Sequence, residues 1–189
     1  MGIENDPLKE QTDKALREYY STLNETERYF NKRQFDKTIQ RCDKFLADYP
    51  NSPDILSRKS AALYLLQRYE EAIQCLDKVL EIDPNAQGTW KGKAFILLDP
   101  LQRYEEAIEC YDRALEIKPD RLLSWKAKAF LLSRLQRYEE AIECYDRALE
   151  IKPDDANVWH DKGTALEELK RYKDAGKCYD TARKLTSES

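Results

Sequence analysis

Histidine is nearly missing from this chain: His160 stands alone among 189 residues. A histidine-rich metal cluster and a Ser-His-Asp set are therefore out of reach within one chain. Glycine is scarce as well, with 5 residues. Gly88, Gly92, Gly163 and Gly176 are isolated, and none forms the GxxxxGK or GxGxxG loop that cradles phosphates. No apolar run approaches the roughly 20 residues of a membrane helix, and the opening MGIENDPLKE has neither the basic nor the apolar part of a signal peptide. The net charge of −4 gives no electrostatic footprint for nucleic acid. The expectation is a cytoplasmic, non-catalytic chain without cofactor or metal, bound neither to a membrane nor to DNA or RNA.

What is present is repetition. Residues 101 to 120 read LQRYEEAIECYDRALEIKPD, and residues 135 to 154 spell the same letters again 34 residues later. Looser copies end at Asn51, Asn85 and Leu185. A period of 20–50 residues marks stacked supersecondary units that bury a core only by leaning on their neighbours. The division expected is one array over 1–189, with an extension or cap at 1–21 and repeats at about 22–52, 53–86, 87–121, 122–155 and 156–185.

Each repeat reads as two helices. Ser124 to Leu135 puts Trp125, Ala129 and Leu132 on one face, and Tyr138 to Ile151 does the same with Ala141, Tyr145 and Ala148. Pro84, Pro119 and Pro153 separate the units. A long first helix is predicted from Pro7 to about Lys32, with Asp6 as N-cap and an early half that covers the open end of the stack. In the second helix, Gln34 to Asp48, large and small residues are exchanged: Phe45 takes the slot of Ala114 and Cys42 that of Tyr111. One residue is inserted around Asp99-Pro100, which should loosen the turn of the third unit. Glu109 with Arg113, and Glu143 with Arg147, are predicted to pair along their helices. Glu105-Glu106 and Glu139-Glu140 read as solvated charge suited to helix starts.

Trp159-x2-Lys162-Gly163-x2-Leu166 followed by Ala175-x3-Tyr179 resembles the tetratricopeptide-repeat pattern, as do the sets from Trp125 to Pro153 and from Trp90 to Pro119. The resemblance covers roughly residues 22 to 185. Lys59, Lys93, Lys128 and Lys162 depart from it, standing where the family usually has Leu; similar Lys-bearing arrays are familiar from archaea and bacteria. What the resemblance implies is an all-α, right-handed superhelical solenoid of about five antiparallel helix pairs, whose concave face holds a peptide or partner protein. It implies no catalysis. The Lys and Asn clamp with which some members hold a chaperone C-terminus is not supported, since Leu23 and Glu27 fill its slots.

Cys75, Cys110, Cys144 and Cys178 share one repeat slot, about 8–10 Å apart, too far for disulfides and suited to small buried thiols; a thiolate metal site is the alternative. The binding surface is sought one, five and nine residues after each Trp. That gives Lys91, Phe95 and Asp99, then Lys126, Phe130 and Arg134, then His160, Thr164 and Glu168, with Arg58 added as a flanking cation. The candidate groove is thus Arg58, Lys91, Phe95, Lys126, Phe130, Arg134 and His160, suited to a peptide offering carboxylates and apolar side chains. Two accounts of Phe95 and Phe130 stay open, groove rings or inward packing between units. A monomer is the default, with a self-associating scaffold as the alternative. Finally, Ile142 and Leu149 are replaced by Gly176 and Arg183 in the last unit, which predicts that the array ends near Thr186–Ser189.

Overall fold

The computed structural model describes residues 7–187, with side chains from Gln11 onward. The expected N-cap Asp6 lies outside the described residues. Ten helices are present: α1 Pro7–Asn31, α2 Phe35–Asp48, α3 Pro53–Leu65, α4 Tyr69–Ile82, α5 Gln87–Leu98, α6 Tyr104–Ile117, α7 Leu122–Arg134, α8 Tyr138–Ile151, α9 Ala156–Glu168 and α10 Tyr172–Ser187. No strand occurs among the described residues. Chain contacts divide into two compact units, one up to Thr89 and one from Trp90.

In the first unit α1 packs on α2, α2 on α3 and α3 on α4. Cys42, Phe45 and Ile55 form its core, with Tyr19, Leu23, Leu46 and Tyr49 against them. The exchanged Phe45 and Cys42 are both buried, so volume lost at one slot is regained at the other. Gln11 to Lys14 and Leu16 are exposed, and ring packing of α1 begins at Tyr19, whose ring lies 6.1 Å from that of Phe45. Arg41 ties α2 to α1 by a forked contact, 3.0 Å to Glu18 and 3.0 Å to Glu25. Separate Nη2 and Nε donors of the planar guanidinium reach the two carboxylates at once.

In the second unit α6, α7, α8, α9 and α10 each pack on the next. Ala129, Ala141 and Ala148 are completely buried and let the axes approach, while the ring of Tyr145 fills the space beside them. At Gly163 the approach is closer still: a Cβ there would stand 2.7 Å from the Tyr179 ring. Trp125 donates its indole N–H to the Pro119 carbonyl, and Trp159 donates to that of Pro153, each at 2.8 Å. In α7 and α9 the indole therefore fastens the first helix to the proline turn that precedes it, through a turn carbonyl outside both helices.

Inside every repeat the turn between helices places one non-glycine residue in the left-handed region, Arg33, Gln67, Gln102, Gln136 and Lys170, at φ 53 to 60°. The next amide closes the turn, as in Arg68 N–H to Leu63 O and Arg137 N–H to Leu132 O, both 2.9 Å. The inserted residue at Asp99-Pro100 lengthens this ring without opening it: Arg103 still donates to Leu97 O at 2.8 Å. Helix charges differ from expectation. Arg113 pairs with Glu116 at 2.8 Å and Arg147 with Glu150 at 2.5 Å, in place of the expected Glu109 and Glu143. Both spacings lie on one helix face, and the Arg147 guanidinium is also drawn over the Trp125 ring at 5.9 Å. Glu106 and Glu140 are held by Arg103 and Arg137, three residues upstream, and Glu105 by Arg137 at 3.0 Å.

Candidate functional site

The first helices α5, α7 and α9 position the candidate side chains; in α7 and α9 the Trp is turned toward the preceding proline, and the residue five places later lies on another face of the helix. Phe95 is 48% exposed and Phe130 51% exposed. Both rings are about half exposed and half covered by the protein. Leu123, one helical face with Phe130 at a separation of seven, is 78% exposed and was not singled out by the repeat arithmetic. Lys91 is half-buried and Arg134, the last residue of α7, is exposed; neither has an ion-pair partner among the described residues.

Lys126 is engaged. Its ammonium lies 2.9 Å from Asp155, a nearly buried carboxylate that also accepts from the Val158 amide as the N-cap of α9. Burial pushes the Asp155 carboxyl up, but Lys126 and the amide outweigh it and hold the group below the usual carboxylate range. Lys126 thus joins two repeats and has little charge to spare for a ligand. His160 is exposed, with its ring 5.4 Å from Tyr179 and Nδ1 3.7 Å from Asp161. It borders a cleft of about 490 Å³ with Ala156, Tyr179, Ala182, Arg183 and Thr186.

Arg58 belongs to the first unit. There it lines a cleft of about 480 Å³ between α1 and α3 with Tyr19, Leu23, Phe30 and Ser57. The floor is apolar, and the Tyr19 hydroxyl is committed to Asp54 at 2.6 Å. In repeat register Ser57, not Arg58, matches Lys91, so Arg58 faces its cleft from the neighbouring slot.

The lysines that depart from the family pattern have a clear role. Lys59 reaches back to Asp43 at 2.5 Å, Lys128 pairs with Asp112 and Lys162 with Asp146, each acceptor lying on the preceding second helix. Lys128 and Lys162 also lie over Trp125 and Trp159, at 6.0 and 5.5 Å from the ring centres. The signal was in the sequence, for each of these lysines follows an aspartate by 16 residues. The cysteines are all buried and unbridged. Burial pushes the thiols of Cys42 and Cys144 up to about 12 and about 11, and those of Cys75 and Cys178 in the same direction, which suits packing thiols and not thiolates.

Family profiles described as tetratricopeptide repeat match residues 101–158 and 144–177, and one described as the N-terminal TPR repeats region of Psidin matches residues 13–123, more than half of the chain. The chain belongs to the tetratricopeptide-repeat family. No curated protein matches it. Among solved structures, this tetratricopeptide-repeat chain is similar to MamA, with a TM-score of 0.81 at 18% identity over 90% of this chain and 93% of that one. It is also similar to MamA from Desulfovibrio magneticus RS-1, with a TM-score of 0.76 at 18% identity over 91% and 97%. YrrB, described as a TPR protein with an unusual peptide-binding site, gives 0.73 at 15% identity over 87% and 84%. At these identities the likeness concerns the fold, an all-α stack of helix pairs. No described helix is long and apolar enough to cross a membrane.

Proposed function

We propose that this tetratricopeptide-repeat chain is a protein-interaction scaffold that holds a peptide or partner-protein segment along the first-helix face of its second unit. The observation that carries the reading is the pair of half-exposed rings, Phe95 and Phe130, at one repeat slot. Large aromatic side chains left in water at a repeated position suit a surface that is covered by a ligand. Leu123 extends the apolar face, and Lys91 and Arg134 supply cations for ligand carboxylates, with Lys126 reserved for Asp155. The segment bound would offer apolar side chains with acidic residues between them.

A peptide array of apolar and acidic sequences, probed with the wild type and with a Phe95→Ala/Phe130→Ala double variant, tests this. Both rings are exposed, so the variant should keep its helical circular dichroism. Loss of capture by the variant is expected, together with weaker capture by the wild type as salt shortens the Debye length below about 8 Å. Equal capture by both proteins would sink the reading.

A further inference from the structure

In the first unit, the repeat slots that carry long side chains in the second unit are cut short. Leu56 holds the place of Trp90 and Trp125. One residue later stands Ser57, where the others have Lys91 and Lys126; five residues later stands Ala61, where they have Phe95 and Phe130. The two truncations meet in one place. Ser57 and Ala61 line the cleft of about 480 Å³ between α1 and α3, and Tyr19, Leu23 and Phe30, on one face of α1, form its apolar wall. Its size lies within the range of ligand pockets, about 300–1,000 Å³.

Two charged groups border the cleft, and only one of them is satisfied from within. Asp54 accepts from the Tyr19 hydroxyl at 2.6 Å. Arg58, one helical turn beyond Asp54, does not pair with it: the guanidinium is half-buried and has no ion-pair partner among the described residues. Its neighbour Lys59 is taken by Asp43, in the lysine–aspartate ladder that recurs as Lys128 with Asp112 and Lys162 with Asp146. Arg58 is thus the cation of this stretch left for something outside the chain.

We propose that this cleft is a binding site of the first unit, distinct from the rings of the second, and that it takes an aromatic side chain of a partner peptide with an acidic residue beside it. The ligand supplies the ring that Ala61 omits and sets it against Tyr19 and Phe30, where aromatic contacts add to the area buried. Its carboxylate meets the Arg58 guanidinium, whose planar fork suits an acid. A ligand without the acid would cover a half-buried guanidinium and leave it unpaired, and a basic one would bring like charges together.

The test follows amide signals of the full chain by NMR as the blocked dipeptide N-acetyl-Phe-Asp-amide is added to about millimolar concentration. Shifts are expected at Leu23 and from Ser57 to Ala61. Ala61→Phe puts into the cleft the ring that this slot carries in α5 and α7, and should weaken binding at least about tenfold, as should Ala for Phe in the probe. Arg58→Gln, or Asn for Asp in the probe, should weaken it roughly fivefold. Unchanged helical circular dichroism checks that both variants keep the fold. The Phe95→Ala/Phe130→Ala variant should bind the probe as the wild type does, which separates this outcome from that of the second-unit reading. No shifts at these residues, or binding indifferent to Ala61→Phe or to Arg58→Gln, would overturn the proposal. So would self-association in sedimentation that Ala61→Phe abolishes, since a second copy would then fill the cleft.

Discussion

Replacing Asp43 with alanine removes one rung of the ladder and leaves its lysine behind. Lys59 is about three-quarters buried at 23% side-chain exposure, and its ammonium lies 2.5 Å from Asp43, itself half-exposed. At that separation the pair attraction is about 1.7 kcal/mol in bulk water and several kcal/mol at the lower effective dielectric of a protein surface. Desolvation and the ordering of a long side chain offset most of it. Exposed pairs retain roughly 0.2–1 kcal/mol, whereas breaking a buried pair costs about 3–5 kcal/mol. Burial pushes the Lys59 ammonium down, and the Asp43 bond more than offsets that, leaving it raised. This places the pair between the two limits. Asp43→Ala should cost about 1–2 kcal/mol, or about 2–8 °C in Tm for a chain of this length. Lys59→Leu, the residue that the family usually has here, should cost less than about 0.5 kcal/mol, because it removes the charge along with its partner's role and buries an aliphatic side chain in place of the lysine stem. Urea unfolding followed by circular dichroism at 0.05 M and 1 M salt measures both. The gap between the variants should narrow at high salt as the Debye length falls to about 3 Å. If Lys59→Leu proves as costly as Asp43→Ala, the ladder is not an electrostatic device and the lysine stem alone supports the packing.

Asp155→Asn should weaken folding at neutral pH by roughly 1–2 kcal/mol, through the Lys126 pair and the helix cap. Because the folded-state pKa of Asp155 is depressed, its contribution is fully present above its unfolded value near 4 and is lost as pH falls through the folded value, so the two proteins should converge in stability on the acid side in a pH series of unfolding curves. Gln136, at φ 60°, should gain up to about 1 kcal/mol as Gly and lose at least as much as Val, whose branched side chain resists the left-handed region; a Val variant as stable as wild type by urea unfolding would show that the turn relaxes.

The repeat period, the helix pairs and the buried small-residue slots were legible because they recur in phase, and recurrence converts a weak single-helix pattern into a strong one. Tyr145 with Ala141 and Ala148 is such a case, as is the volume exchange between Phe45 and Cys42. Partner choice among charges was less legible. Spacing alone allows Arg113 to reach Glu109 or Glu116, and only the rotamer decides for Glu116. Lys126 was readable as an outward cation, but the Asp155 that occupies it is 29 residues away, at the N-cap of the next first helix. Long-range pairings of this kind depend on how one helix sits on another, which no local window contains. The lysine ladder is the intermediate case: its spacing of 16 residues repeats, and reading the departures from the family pattern together, instead of one by one, points to it.

The last described second helix departs from the packing pattern of its counterparts. In the earlier repeats the second helix buries an aliphatic pair, Ile73 with Leu80, Ile108 with Leu115 and Ile142 with Leu149. On α10 the corresponding positions are Gly176, where a Cβ would meet open space, and Arg183, which is exposed. Burying one such aliphatic side chain contributes about 1.5–3 kcal/mol, so omitting two removes several kcal/mol from any helix that docks there. Asp180 and His160 stand at the positions of Asp146 and Lys126 in the repeat before, with Arg183 and Asp161 as their neighbours. The same face of α10 therefore offers less apolar area than that of α4, α6 or α8, and a polar, exposed side chain in place of a buried aliphatic one.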